Sequence, residues 1–218
     1  MMKYITKTDL YIVSRYSGVV MICVGLMCLF PLLIDLIYFE FNYACFIIPG
    51  VFSVILGYIC MKALDKYSNS KMRLKHGMMI SSIAWMWASV IGGVVISLAT
   101  GTDFLNGIFE STSALTGTGI TMFDNVEILP HSILYFRAFE QWVGGLGVVV
   151  MMIGILTRPG TASAKLYQSE AREERLKPSV KTTLKKTIEI YLIYTIIGII
   201  LYLLAGMPAF DSVCTTFC

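Results

Sequence analysis

FESTSALTGTGIT, Phe109 to Thr121, sets a Gly- and Thr-rich turn in an otherwise apolar part of the chain. It lies between two long apolar segments, Met78–Ala99 and Ser132–Leu156. The residues leading into it, DFLNGIFESTSAL from Asp103 to Leu115, read as a short helix with Phe104, Ile108 and Phe109 on its apolar side. Thr102 or Asp103 is its expected N-cap. A helix of that length covers only about 20 Å, against roughly 30 Å of hydrocarbon. The segment is therefore expected to enter a membrane, turn at TGTG and return through Met122–Pro130 to the same side. Irregular backbone survives at membrane depth only where it is buried in protein or lines a water-filled path. Small residues leave carbonyl oxygens free, and such carbonyls replace the water shell of a cation in ion filters.

The chain as a whole is strongly apolar. Its mean hydropathy is +0.74 and 14% of its residues are charged, against about 25% in a soluble domain. The apolar residues fall in blocks: Tyr16–Phe39, Ala44–Met61, Met78–Ala99, Ser132–Leu156 and Ile188–Ala205. Each suits one helical crossing of the lipid bilayer. The first block lacks a small-x-small cleavage site and exceeds a signal-peptide core, so it reads as a retained helix. Pro31 is expected to kink it. The first two blocks form a hairpin turned at Tyr38–Tyr43.

Charge fixes an orientation. Every Lys and Arg except Arg137 falls before the first block, between the second and third, or between the fourth and fifth. With alternating crossings these groups share one side. The opposite side holds Glu40, Asp103, Glu110, Asp124, Glu127 and Asp211. The positive-inside rule then predicts a multi-pass cell-membrane protein with a cytoplasmic N-terminus and an outward-facing Gly/Thr loop. The basic loops read as topology signals, not as a nucleic-acid surface.

Arg137, Glu140 and Gln141 lie inside the fourth block, beside Trp142, Gly144, Gly145 and Gly147. Polar residues there usually face a bundle interior or an aqueous cavity. Arg137 and Glu140 are three apart and are candidates for an intramembrane pair, with snorkelling of Arg137 as the alternative. Gly144 and Gly147 serve either close packing or local unwinding. Glu189 is either interfacial or paired with a nearby lysine. Glu110 and Asp124 are candidate vestibule acids for cations, or ordinary solvated loop charges. Cys23, Cys28, Cys45, Cys60, Cys214 and Cys218 show no zinc spacing and read as apolar filler. His76 and His131, at block edges, read as interfacial. No nucleophile–base pair or metal cluster accompanies the glycine loop, so no enzyme and no cofactor is expected.

An echo of the central unit follows. Leu98, Ala99 and Phe104 recur as Leu204, Ala205 and Phe210 at one constant offset. Each instance ends an apolar block and starts a short helix containing Ser and Thr. The counterpart of Gly119 would lie past Cys218.

These residues resemble the Trk/Ktr/HKT superfamily of potassium-transport membrane subunits, most of all the Trk type. The likeness is carried by Phe109–Thr121, by SILYFRAFEQWVGGLGVVVMMIGIL (Ser132–Leu156), by AKLYQSEAREERLKPSV (Ala164–Val180) and by IYLIYTIIGIILYLLAGMPAFDSV (Ile190–Val213). The resemblance implies an all-α integral membrane fold built from four span–pore-loop–span repeats around one pore. This chain would supply an N-terminal two-span hairpin (1–66), a first repeat (67–157), a cytoplasmic linker (158–187), and the span and opening pore helix of a second repeat (188–218). It is expected to be the N-terminal part of a longer protein. The implied function is potassium or other monovalent-cation uptake, with K+ as the transported ion and a filter at Thr116, Gly117, Thr118, Gly119 and Ile120. A homodimer and a cytosolic nucleotide-binding regulatory subunit are the implied partners. The alternative is a non-transporting membrane assembly or interaction protein, in which the glycine turn only packs neighbouring helices.

Overall fold

A computed structural model describes residues 6–65, 74–156 and 180–218. Among these residues every regular element is helical: α1 (Lys7–Met27), α2 (Leu32–Tyr38), α3 (Tyr43–Ala63), α4 (Leu74–Thr100), α5 (Phe104–Thr116), α6 (His131–Leu156), α7 (Val180–Leu204) and α8 (Ala209–Phe217). The expected cytoplasmic linker lies largely outside the described residues, as does most of the segment between α3 and α4.

Lys7–Tyr38, Tyr43–Ala63, Lys75–Thr100 and Thr182–Leu204 are long and apolar enough to cross a membrane. α6 adds 26 residues, about 39 Å at the helical rise. Their outer faces carry large apolar side chains such as Leu33, Ile48, Phe52 and Met86, as suits a surface that meets hydrocarbon.

The chain divides into two compact units, with the boundary inside α6 between Glu140 and Gln141. In the first unit, α1 packs on α3 and α4, and α4 packs on α5. The α1–α3 seam is made of glycine. A β-carbon on Gly25 would lie 2.5 Å from the Gly50 carbonyl, so the two backbones touch. A hydrogen-bonded relay ties the three long helices together. Trp87 Nε1 donates to Ser53 Oγ at 2.8 Å, and Ser53 Oγ donates to the Met21 carbonyl at 2.7 Å. Each polar group thereby gains a partner inside an apolar bundle.

The expected kink at Pro31 is a full break. α1 stops at Met27, Cys28–Pro31 form turns, and α2 resumes at Leu32. Proline has no N–H for the preceding turn, and its ring crowds the carbonyl four residues back. α2 ends at Phe39 in a left-handed conformation, φ 53°. There the Glu40 N–H donates to the Asp35 carbonyl, and the Asp35 carboxylate accepts from the Asn42 N–H at 2.9 Å.

His76, at the edge of its block, is buried against protein. It is 1% exposed, with Nε2 2.7 Å from Asp9 Oδ1. Asp9 also closes the capping box of α1 with Thr6 and accepts from Lys75. One carboxylate thus joins the starts of α1 and α4.

In the second unit the remainder of α6 meets α7 and α8. Trp142 Nε1 donates to Thr195 Oγ1 at 3.0 Å, the Tyr191 hydroxyl donates to the Trp142 carbonyl at 2.9 Å, and the Trp142 ring stacks on Phe217. α6 runs unbroken through Gly144, Gly145 and Gly147, so these glycines do not unwind it. Gly145 instead admits Tyr191, whose hydroxyl would stand 3.1 Å from a β-carbon there. Glu189 takes the paired alternative, 3.7 Å from Lys185 one turn away and exposed, a contact worth little.

The echo of the central unit is visible in the helices. α4 ends before Gly101 (φ 71°) and α7 before Gly206 (φ 90°). The short helices then begin at Phe104 and at Ala209. The structural register pairs Phe104 with Ala209 rather than with Phe210, because the backbone turn, not the side-chain identity, sets the helix start.

Candidate functional site

α5 seats the loop. Asp103 is its N-cap, although the Asp103 side chain makes no capping bond. Its backbone carbonyl accepts from the Gly107 N–H. α5 lies close to α4 because both helices carry glycine at the contact. A β-carbon on Gly93 would stand 2.7 Å from the Ile108 backbone nitrogen, and one on Gly107 would overlap Ser97 Oγ and the Gly93 carbonyl.

The helix ends in a paired cap. The Gly117 N–H donates to the Ala114 carbonyl and the Thr118 N–H to the Ser113 carbonyl, both at 3.0 Å. This is the Schellman arrangement, which needs a left-handed residue after the helix. Gly117 supplies it with φ 69°. Gly119 repeats the left-handed backbone at φ 73°. Alternating positive φ through TGTG turns successive carbonyls out of any helical or sheet ladder.

Thr116, Gly117, Thr118, Gly119 and Ile120 are all exposed. Among the described residues, no backbone or side-chain donor bonds the carbonyls of Thr116, Gly117, Thr118 or Gly119. The Ile120 carbonyl differs: it accepts from Ser113 Oγ at 2.6 Å. The Thr116 and Thr118 hydroxyls lie 2.8 Å apart, and Thr116 Oγ1 also donates back to the Thr112 carbonyl. The loop therefore presents a row of unspent oxygens beside one anchored oxygen.

A buried ionic layer stands behind it. Glu110 is 1% exposed. Its Oε1 accepts from Thr121 Oγ1 at 2.7 Å and from the Met122 N–H. Its Oε2 lies 2.8 Å from Arg137 Nη2, an ion pair rather than a well-angled hydrogen bond. The Arg137 guanidinium also sits over the Phe123 ring at 5.8 Å. Glu140, fully buried, accepts from Ser111 Oγ at 2.6 Å. Gly92 of α4 makes room for that contact, since a β-carbon there would overlap both Glu140 Oε1 and Ser111 Oγ.

This geometry corrects two sequence expectations. Arg137 pairs with Glu110 across helices instead of with Glu140 along its own, because the buried carboxylate on α5 lies nearer its guanidinium. Glu110 is not an open vestibule acid. It is consumed in bracing the loop, whereas Asp124 is exposed. Sequence reasoning missed Ser111, Ser113, Thr121 and Gly92. The signal for the serines was their spacing: Ser111 and Ser113 flank Thr112 on the helix that ends in the glycines.

α6 is held at its start by the distant hairpin. Glu40 accepts from the His131 N–H (2.5 Å), His131 Nδ1 (2.9 Å), the Ser132 N–H (3.0 Å) and Ser132 Oγ (2.6 Å). Burial pushes the Glu40 carboxyl upward, but these hydrogen bonds outweigh it and hold the group below its ordinary range. The Tyr38 ring stacks on His131 at 4.0 Å. An acid at a helix N-terminus meets the unpaired N–H groups there.

The TrkH family model, described as cation transport protein, matches residues 46–216. The chain belongs to the TrkH family. It is 39% identical over 209 residues to a cation transporter of Methanocaldococcus jannaschii described as uncharacterized, covering 95% of this chain and 44% of that protein. It is 32% identical over 212 residues to the Trk system potassium uptake protein TrkG of Escherichia coli, covering 93% of this chain and 43% of the relative. The crystal structure of the potassium transporter TrkH from Vibrio parahaemolyticus superposes with a TM-score of 0.82 at 26% identity, over 95% of this chain and 42% of that one. The chain thus spans less than half the length of these TrkH-family relatives. The match also makes the fold that of a multi-pass, all-helical membrane protein.

Proposed function

We propose that this chain forms part of a potassium-uptake pore and carries the first of four filter segments. The observation that carries the reading is the row of unbonded carbonyls at Thr116–Gly119, turned out by left-handed glycines and fixed at both ends. In a pore, such oxygens take the place of the water that a monovalent cation sheds. Ile120 contributes its second lone pair, since a carbonyl accepts two bonds. Potassium is the favoured ion because relatives of similar sequence are named as Trk system potassium uptake proteins. Exposed Asp124 on the return limb adds attraction for cations. As a pore the chain performs no covalent step.

The domain reading follows: a two-span hairpin over 1–66, a first repeat over 67–157, a linker over 158–187 and the opening of a second repeat over 188–218. Charge asymmetry supports a cell-membrane protein with the N-terminus in the cytoplasm. A homodimer and a cytosolic nucleotide-binding regulator accompany this reading, and the naming of the relatives as members of a Trk system supports a partnered assembly.

The test is potassium uptake by uptake-deficient cells that express the protein as its gene encodes it, with and without Gly119→Asp, at matched membrane abundance. The wild type is expected to restore uptake and the variant to abolish it. Full uptake by the variant would overturn the filter reading and favour an assembly role.

A further inference from the structure

The loop is tied to α5 at two levels, and both ties use side chains of α5 itself. Ser113 Oγ bonds the Ile120 carbonyl, and one helical turn earlier Glu110 receives the Thr121 hydroxyl and the Met122 N–H. Between these ties and the Gly117 cap lie only the open carbonyls. The span from Thr116 to Gly119 therefore runs from the helix cap to the ties at Ile120, Thr121 and Met122.

Glu110 itself is held by charge. A neutral acceptor would satisfy Thr121 and Met122 equally well, yet the structure places a carboxylate there with its second oxygen 2.8 Å from Arg137. The Arg137 side chain is 19% exposed and that of Glu110 1%. In such surroundings the pair is screened little and resists displacement. Arg137 stands on α6, whose start is in turn capped by Glu40. The position of the loop is thereby referred to the bundle rather than to α5 alone.

We propose that Glu110 is a positioning residue for the loop. Anchored by Arg137, its carboxylate sets the spacing at which the carbonyls of Thr116–Gly119 are presented and so determines which monovalent cation they accept. The inference rests on the filter reading above. Both accounts of filter selectivity, cavity size and the field of the carbonyl dipoles, depend on where those oxygens are held.

The test compares wild type, Glu110→Gln and Thr121→Val in the protein as its gene encodes it, with Gly119→Asp in parallel. Potassium and sodium uptake are measured over a concentration series, and membrane abundance is measured for each variant. Glu110→Gln keeps an acceptor for Thr121 but removes the charge that holds Arg137. Thr121→Val keeps the shape and removes one donor. The half-saturating potassium concentration is expected to rise roughly tenfold in Glu110→Gln as the ion pair with Arg137 is lost, with discrimination against sodium reduced. Thr121→Val is expected to move both in the same direction by less. Half-saturation and discrimination at wild-type values in both variants, with only maximal uptake changed, would overturn the proposal. If Glu110→Gln fails to reach the membrane, Thr121→Val decides alone. Loss of uptake in Gly119→Asp together with unaltered Glu110 and Thr121 variants would remove the positioning role and leave the filter standing. Undiminished uptake in Gly119→Asp would remove the filter reading itself.

Discussion

Gly18 and Gly57 face each other so closely that each carbonyl occupies the place of the other's β-carbon. A β-carbon on Gly18 would lie 2.6 Å from the Gly57 oxygen, and one on Gly57 would lie 2.5 Å from the Gly18 oxygen. The neighbouring pair, Gly25 and Gly50, repeats the contact seven residues along each helix. In lipid, where hydrocarbon competes with any apolar side chain, close backbone packing is a principal source of helix association.

Gly57→Ala is therefore expected to destabilise the protein by about 1–3 kcal/mol, the usual cost of overpacking. Gly77→Ala is the control. Among the described residues nothing stands within 4 Å of a β-carbon at Gly77, and a helical alanine there is expected to be neutral or stabilising by up to about 1 kcal/mol. Thermal unfolding in detergent measures both.

Gly117 poses the opposite problem. Nothing lies within 4 Å of its missing β-carbon, but its φ of 69° is left-handed. Gly117→Ala is expected to cost about 1–2 kcal/mol from backbone strain alone, and Gly117→Asn less, since asparagine tolerates the cap position. The same unfolding measurement ranks them. Equal stability of all three would show that the cap does not hold.

Ser111→Ala removes the donor from Glu140, a fully buried acid. A loss of about 1–3 kcal/mol is expected from the stranded acceptor. Thr112→Ala, one position along on the exposed side, removes only a bond to the Ile108 carbonyl and is expected to change stability by less than about 0.5 kcal/mol.

Glu40 gives the protein a pH-dependent joint. Its carboxyl is held below the ordinary value of 4.5 in the folded state. Such a group stabilises fully above that ordinary value, and its contribution is lost as pH falls through the lower folded value. Wild type is expected to be more stable than Glu40→Gln at neutral pH. The difference is expected to shrink below about pH 4.5. Unfolding temperatures of the two proteins across that range check it, and a constant difference would contradict the assignment.

Much of this was readable in the residues. The apolar blocks, the short helix before TGTG and a disturbance at Pro31 follow from length, hydropathy and proline chemistry, which act locally; that the expected kink is a full break did not. The partner of Arg137 did not. Spacing along α6 offers only Glu140, while Glu110 becomes a neighbour through tertiary folding. The tie between His76 and Asp9 was hidden for the same reason, as was the cap that Glu40 places on α6. The glycine seam was within reach. Gly18 and Gly25, like Gly50 and Gly57, are seven apart and share a helix face.

The Glu40 cap carries a consequence for how the molecule is made. Glu40 precedes the helix start it satisfies by 91 residues. Chains emerge from the ribosome N-terminus first. The carboxylate is therefore already waiting on the first hairpin when the backbone donors of His131 and Ser132 are synthesised. At this joint the acceptor is made well before its donors, and the cap can close only once the start of α6 has been synthesised.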